Sequence, residues 1–317
     1  MSDEPHASAF HRGEQAVQRR VGAAVRMARI GERAIRASMP EQQREFFALL
    51  PFVLVGSIDQ AGQPWASVLS GPPGFVRSPH ASALHIHALC TAGDALEENL
   101  RPGAQVGVLG IQPHTRRRNR VNGVVTEVFE HGFAAQVSQS FGNCPKYIQA
   151  REPRYAGPQP ASGFDRLPGL SDAAVGLVHR SDTFFVASAH PDALRSPTRA
   201  HGVDVSHRGG RPGFVHVDST GQLTVPDFLG NFFFNTLGNL ALHPFAGLLF
   251  LDYASGDLLS LATSVSVIWD GQKVKSFAGA QRLLRFTPLA VRTARAALPL
   301  QWGPAELSPH LEGTGNW

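Results

Sequence analysis

Apolar residues recur near helical spacing at the start of the chain, at Val17, Val21, Val25, Ala28 and Ile35. Arg19, Arg20, Arg26, Arg29, Arg33 and Arg36 fill much of the remainder. This spacing predicts a helix over 13–39, its small-residue face packed on its own domain and its basic face solvated. A second short helix is expected at Glu41–Leu50. The texture then changes to short apolar runs separated by turn residues. Phe52–Ile58 and Pro64–Ser70 read as strands around the turn Asp59–Gly62, a hairpin signal. His85–His87, Val106–Ile111 and Val121–Phe129 read as further strands. Residues 134–150 read as a helix, and 151–170, rich in Pro and Gly, as a linker. Strands return at Thr183–Ser188, Gly202–Ser206, Phe214–Val217, Gly247–Leu251 and Leu258–Ile268, with Asn231–His243 a loop leading into a helix.

The second run of strands looks like a diverged copy of the first. Pro73-Gly74-Phe75-Val76 recurs as Pro212-Gly213-Phe214-Val215. Asn99-Leu100 with Pro102, ahead of Val106–Ile111, parallels Asn239-Leu240 with Pro244, ahead of Gly247–Leu251. Such self-similarity at a long period predicts two homologous β-domains in one chain, a covalent pseudo-dimer. The expected organisation is an N-terminal helical extension (1–39), a first β-domain (40–135), a helix and linker (136–180), a second β-domain (181–290) and a tail (291–317).

Composition agrees with many short strands. The 317 residues include 32 Gly and 23 Pro, and 43% are hydrophobic, ample for a sizeable core. The formal charge of +4 is carried almost wholly by arginine, since lysine occurs only at Lys146, Lys273 and Lys275. Arginine's planar fork suits phosphate and carboxylate, so an anionic ligand is expected. High-GC coding would give the same skew. No tract demands nucleic acid, and neither nucleic acid nor membrane is an expected partner. Two cysteines, Cys90 and Cys144, exclude a disulfide framework. With no signal-peptide pattern and no apolar run near ~18 residues, a soluble cytoplasmic protein is expected.

Walker A, G-x-G-x-x-G, H-E-x-x-H and G-x-S-x-G signatures are absent. His85 and His87 share a strand face near Cys90, but no second ligand pair accompanies them, so no metal site is expected. Four segments hold the candidate chemistry. In Val205–Phe214 (VSHRGGRPGF), glycines and arginines follow a strand, as an oxyanion cradle or a solvated hairpin. In Asp227–Leu240 (DFLGNFFFNTLGNL), Asn and Thr open a helix, as phosphate ligands, caps or both. His114–Gly123 (HTRRRNRVNG) carries a dense arginine run, either facing an anion or exposed. Gly142–Gln149 (GNCPKYIQ) brings together a cysteine, a lysine and a tyrosine; Cys144 is a reactive thiol or a buried spacer.

Taken together, Ser206–Val215, Pro226–Asn239, Thr115–Gly123 and Asn143–Gln149 resemble the predicted flavin-nucleotide-binding proteins related to pyridoxamine 5'-phosphate oxidase. The resemblance covers roughly residues 40–285. It implies a mainly β fold, a β-barrel with flanking helices, here as tandem FMN-binding split barrels. It implies FMN as cofactor, held by Ser206, His207, Arg208 and Gly209, by Asn235, Thr236, Leu237 and Asn239, and by Arg117 and Arg118 from the first barrel. The oxidase's Arg-Lys pair is replaced here by Asn239-Leu240. That shifts the phosphate's charge partner to Arg208, with Arg211 as competitor, and to the Arg116–Arg118 run. It also argues against the oxidase's own substrate. The first barrel's counterpart, Asp94–Asn99, is acidic and would repel a phosphate, so one FMN per chain is expected.

The resemblance further implies an FMN-dependent oxidoreductase acting on an unknown small-molecule redox substrate, with NAD(P)H a candidate donor and a homodimer a candidate assembly. No catalytic acid or base stands out. Rival readings are a non-enzymatic flavin carrier or sensor, and a haem-binding split barrel with His85, His87 or His243 as axial ligand.

Overall fold

A computed structural model describes residues 8–158, 162–196 and 198–317. Three helices, α1 (Arg12–Arg20), α2 (Ala24–Ala34) and α3 (Glu41–Ala48), precede the first sheet. That sheet comprises β1 (Phe52–Ile58), β2 (Pro64–Ser70), β3 (Val76–Arg77), β4 (Ala83–Ile86), β5 (Gln105–Gln112), β6 (Arg117–Phe129) and β7 (Gly132–Gly142), with α4 (Ala95–Asn99) between β4 and β5. Two short strands, β8 (Pro153–Tyr155) and β9 (Asp165–Leu167), and a helix, α5 (Asp172–Arg180), lead across to the second half. There β10 (Thr183–Ala189), β11 (Val203–Gly209), β12 (His216–Val217), β13 (Leu223–Phe228), β14 (Phe245–Leu251), β15 (Leu258–Ile268) and β16 (Ala280–Ala294) form the second sheet. Helix α6 (Asn235–Leu242) lies between β13 and β14, α7 (Gln272–Lys275) between β15 and β16, and β17 (Leu300–Trp302) pairs back onto β8.

The order β2-β1-β5-β6-β7-β4-β3 of the first sheet recurs as β11-β10-β14-β15-β16-β13-β12 in the second, with β9 added on β16. The chain is therefore mainly β and duplicated, each half enclosing its own core. Alternation explains how the cores divide. On β1, Val53 and Val55 point into the first core, whereas Phe52 and Leu54 join a third cluster shared with Phe185, Ala187, Val205 and Leu249. On β10, Phe184 and Val186 fill the second core. Both faces of β1 and β10 are buried, so these strands are largely apolar, with only small polar side chains at Ser57, Thr183 and Ser188. The halves meet through a matched pair of close approaches. A Cβ on Gly107 would lie 2.4 Å from the Val203 carbonyl oxygen, and one on Gly247 would lie 2.5 Å from that of Pro64. Only glycine permits backbone contact at both places.

Three expectations are corrected. The helix over 13–39 is two helices, broken at Gly22 with φ +70 and finished by Ile35; Arg36 then bridges to Ser140. Residues 134–150 are not a helix: β7 runs to Gly142 and the remainder is a loop. Phe133, Ala135 and Val137 enter the first core with a period of two, and pairing along β6 overrides the helix propensity of Ala and Gln. Residues 151–170 are not all linker, because β8 and β9 pair with β17 and β16. No helix among the described residues is long and apolar enough to cross a membrane.

Candidate functional site

The four sequence segments converge on one open cleft where the halves meet. Its floor is the start of α6. The residue before that helix, Phe234, is left-handed (φ 61), and no side chain caps the helix. The first-turn N–H groups of Asn235, Thr236 and Leu237, all lining residues, have no partner within the helix. With the helix dipole they form a natural anion seat. Phe232 (φ 66) and Tyr147 (φ 64) are also left-handed and also line the cleft. Strained backbone of this kind concentrates at ligand-holding sites.

The capping role expected of Asn235 and Thr236 is not what the structure holds. They occupy the first and second helical positions, one residue too late to cap. Thr236 Oγ1 donates to Ser206 Oγ at 3.2 Å, and Asn235 Nδ2 donates to Glu14 Oε1. Glu14 belongs to α1, which packs on α6. Its other oxygen accepts from His11 N at 2.8 Å, and burial followed by the charge of Asp204 pushes its pKa well above the usual carboxylate range. The raised pKa favours the protonated form of a carboxyl beside the helix start, where a carboxylate would compete with a bound anion.

The first half contributes arginines from β6. Alternate residues of a strand share a face, so Arg118 and Arg120 both line the cleft. Arg117 points the other way, its guanidinium 5.2 Å from the ring centroid of Phe46. Arg116 pairs with Glu306 of the tail. Arg120 donates to Asp204 Oδ1 at 2.8 Å and to Ser206 Oγ. Asp204 also accepts from Asn122 (2.8 Å) and Asn239 (2.9 Å), so its carboxylate is satisfied and ties β6 to α6. Asn239 thus lies beneath the cleft rather than in it.

Arg118 differs from its neighbours. It donates from Nε to the Cys144 carbonyl at 2.6 Å and has no ion-pair partner among the described residues. Burial lowers its pKa to about 10, so it stays charged near neutral pH. Arg208 lines the cleft but is paired with Asp227, which Arg282 also approaches at 3.6 Å. Arg211 is turned to the tail, donating to the Leu311 carbonyl at 3.2 Å. His207 is buried, and burial with the adjoining charges of Arg118 and Arg208 pushes its pKa well below the usual histidine value. Gly209 borders an adjoining hollow. Buried donors without partners sit on three lining residues, at Arg120 Nε, Asn143 Nδ2 and Arg208 Nε. A cleft rich in unspent donors suits an acceptor-rich anion. Tyr147, Phe228, Phe232 and Phe234 supply aromatic walls.

The cleft thus gathers Ser206, His207, Arg208, Asn235, Thr236, Leu237 and Arg118. Period-two spacing from Arg118 could have found Arg120. Glu14 had no sequence signal, because α1 reaches α6 only through tertiary packing. His85, His87 and His243 do not line the cleft; His243 Nε2 instead contacts the Gly62 carbonyl at 2.7 Å.

Residues 39–161 match the family model described as pyridoxamine 5'-phosphate oxidase. That match spans the first barrel and the start of the connection to the second, so the first half of the chain is similar to the pyridoxamine 5'-phosphate oxidase-related proteins. The second half repeats that barrel's strand order. Similar solved structures include a HupZ variant from Group A Streptococcus, 8% identical, with 39% of this chain and 98% of that one covered and a TM-score of 0.30. A pyridoxamine 5'-phosphate oxidase-like protein from Lactobacillus delbrueckii is 14% identical, with 40% and 97% covered and a TM-score of 0.31. Another, from Corynebacterium glutamicum, is 10% identical, with 43% and 99% covered and a TM-score of 0.30. Scores at this level carry no argument about function. No curated protein matches the chain.

The two split barrels differ at the equivalent helix. Asn99 donates to Ser57 Oγ at 3.0 Å, as Asn239 does to Ser188 Oγ at 3.1 Å. At the start of α4, however, Asp94 caps the helix, its Oδ1 accepting from Leu96 N at 2.9 Å and from Ser67 Oγ at 2.6 Å. Ser67 holds the register of Ser206, while Leu69 and Leu258 hold those of Arg208 and Arg118. A built-in carboxylate therefore occupies the anion seat of the first barrel, and the cations that would receive an external anion are leucines.

Burial raises the Asp94 pKa to about 6. A raised folded-state value favours folding below the ordinary carboxylate pKa, and that contribution is lost as pH rises through about 6. Asp94→Asn keeps a capping side chain and removes the titration. Its stability relative to the parent should rise between pH 4 and pH 7 by on the order of 2 kcal/mol. Denaturant melts across that range check this; a difference that does not vary with pH would refute it.

Proposed function

We propose that the cleft binds one FMN per chain and that the protein is an FMN-dependent oxidoreductase acting on a small-molecule redox substrate other than that of pyridoxamine 5'-phosphate oxidase. The observation that carries this reading is an uncapped helix start that shares the cleft with a half-buried arginine from the other barrel that has no ion-pair partner among the described residues. A phosphate carries close to two negative charges at neutral pH, and its burial requires cations as well as hydrogen bonds. Asn235, Thr236 and Leu237 would donate backbone N–H groups. Ser206 and Thr236 would add hydroxyls. Arg118 would supply a charge not already spent on a carboxylate, with Arg120 and Arg208 behind it.

When bound, FMN supplies hydride or electron transfer. The chain supplies orientation and electrostatics. Tyr147 and the phenylalanines would exclude water from a planar ring.

Purified protein is expected to carry FMN near one per chain, measured by extraction and quantitation after growth with added riboflavin. Two per chain would defeat the assignment of the Asp94 site as closed. None, after reconstitution with FMN, would defeat the reading itself. NAD(P)H oxidation by the loaded protein separates an enzyme from a flavin carrier.

A further inference from the structure

Behind the cleft wall, Arg282 on β16 stands directly across from Asp227 on β13, and both residues are buried. The Arg282 guanidinium lies 5.2 Å from the ring centroid of Phe234 and 5.2 Å from that of Trp269. Ring faces stabilise a cation but leave its in-plane N–H groups in need of acceptors. Nε and Nη1 of Arg282 have no hydrogen-bond partner among the described residues, although the residue is only 6% exposed. Asp227 Oδ2 is 3.6 Å from Nε, within ion-pair range but beyond hydrogen-bond distance.

The other carboxylate oxygen, Oδ1, accepts from Arg208. One carboxylate therefore faces two guanidiniums, in contact with one and just short of the other. The two arginines differ in what they can reach. Arg208 lines the cleft and shares a strand face with Ser206, whose Oγ accepts from Thr236 at the start of α6. Arg282 lies behind Asp227 and Phe234, which do line the cleft. We propose, on the flavin reading of the cleft, that Arg282 is a positioning residue for the anion site: it takes over Asp227 when Arg208 turns from that carboxylate to a bound phosphate.

Without the exchange, Arg208 could reach the phosphate only by leaving a buried carboxylate unpaired beside a second anion, a costly arrangement. With it, Asp227 keeps a cation throughout and the phosphate gains one. The shift required of Arg282 is small, since charge-assisted N–H···O contacts close to about 2.8 Å from the present 3.6 Å. Burial lowers the Arg282 pKa, with Asp227 opposing the fall and the charges of Arg208 and Arg20 adding to it. Departure of Arg208 and a closer Asp227 would both relieve that buried charge. The rings that hold Arg282 are themselves held. Trp269 also carries Arg20 of α1, 4.2 Å from its centroid, and Phe234 is the left-handed residue that opens α6. The stack thus joins the carboxylate exchange to the helix start that would receive the phosphate.

The test is fluorescence titration of FMN and riboflavin against the full chain, Arg282→Met, Asp227→Asn and the double variant, with a thermal melt of each unliganded protein. Methionine keeps an apolar stem between the two rings and removes the charge. Arg282→Met should weaken FMN about tenfold and riboflavin by less than about twofold, because only the phosphate calls for the exchange. Asp227→Asn releases Arg208 from its carboxylate, so it should bind FMN at least as tightly as the parent. Adding Asp227→Asn to Arg282→Met should return FMN affinity to within about threefold of the parent's. Arg282→Lys keeps the charge but loses the planar stack, so its FMN affinity should fall between those of the parent and Arg282→Met. It is read in the same way should Arg282→Met fail to fold. FMN affinity unchanged in the Arg282 variants, an equal loss for both flavins, or no recovery in the double variant overturns the exchange. A parent chain that binds no FMN overturns instead the flavin reading beneath it.

Discussion

Arg118→Ala is expected to weaken FMN binding by roughly 10–150-fold while leaving the unliganded protein as stable as the parent or slightly more so. The magnitude follows from charge-assisted hydrogen bonds worth ~1.5–3 kcal/mol. The sign of the stability effect follows from the environment. Arg118 is a half-buried cation without a carboxylate, and desolvation lowers its pKa to about 10, so the folded protein holds its charge at some cost. Removing it forfeits donations to the Cys144 and His207 carbonyls but also removes that desolvation cost. A site that is strained when empty and relieved by its ligand behaves in this way. Riboflavin, lacking the phosphate, should bind parent and variant equally. Fluorescence titration with both flavins, alongside thermal melts, is sufficient. FMN affinity equal to the parent's would remove Arg118 from the phosphate site.

Arg208→Ala should act by a different route. Its guanidinium is already engaged by Asp227, which is buried. Truncation leaves that carboxylate short of a partner, with only Arg282 nearby at 3.6 Å. Breaking a buried pair costs about 3–5 kcal/mol when the remaining charge is uncompensated; here Arg282 and partial exposure of Arg208 should reduce this to about 2–3 kcal/mol. FMN binding should fall as well, because the orphaned carboxylate faces the same cleft as the phosphate. The double variant Arg208→Ala with Asp227→Asn separates the effects. Stability should largely return, while FMN affinity should stay at least about tenfold below the parent's if Arg208 reaches the phosphate. Recovery of full FMN affinity in the double variant would make Arg208 a structural partner of Asp227 and nothing more.

The two arginine variants therefore divide the role that the sequence reading concentrated on Arg208. Proximity in the motif singled out Arg208 because it adjoins Ser206 and two glycines. Charge already committed to Asp227 was invisible, since Asp227 is on β13, not a neighbour in sequence. The same holds for Arg117 and Arg118. The arginine run was evident, but which member turns inward depends on the register of β6 against β5 and β7.

Much was nevertheless determined by the sequence alone. Largely apolar runs at Phe52–Ile58 and Thr183–Ser188, bounded by turn residues, identified strands. The repeated Pro-Gly-Phe-Val and Asn-Leu pairs revealed the duplication, since each marks the same turn and helix end in either barrel. The acidic run at Asp94 distinguished the two copies by charge. The tertiary structure decided what depends on pairing and on distant packing. Residues 134–142 became a strand because β6 offered a partner, against their local propensity. Asn235 and Thr236 lost the cap position because Phe234 takes the left-handed turn before them. Helix α1 gained a place at the cleft because α6 presents a surface to it. Side-chain type and periodicity are properties of the local chain; ion pairing, burial and the choice of face arise only when segments far apart in sequence come into contact.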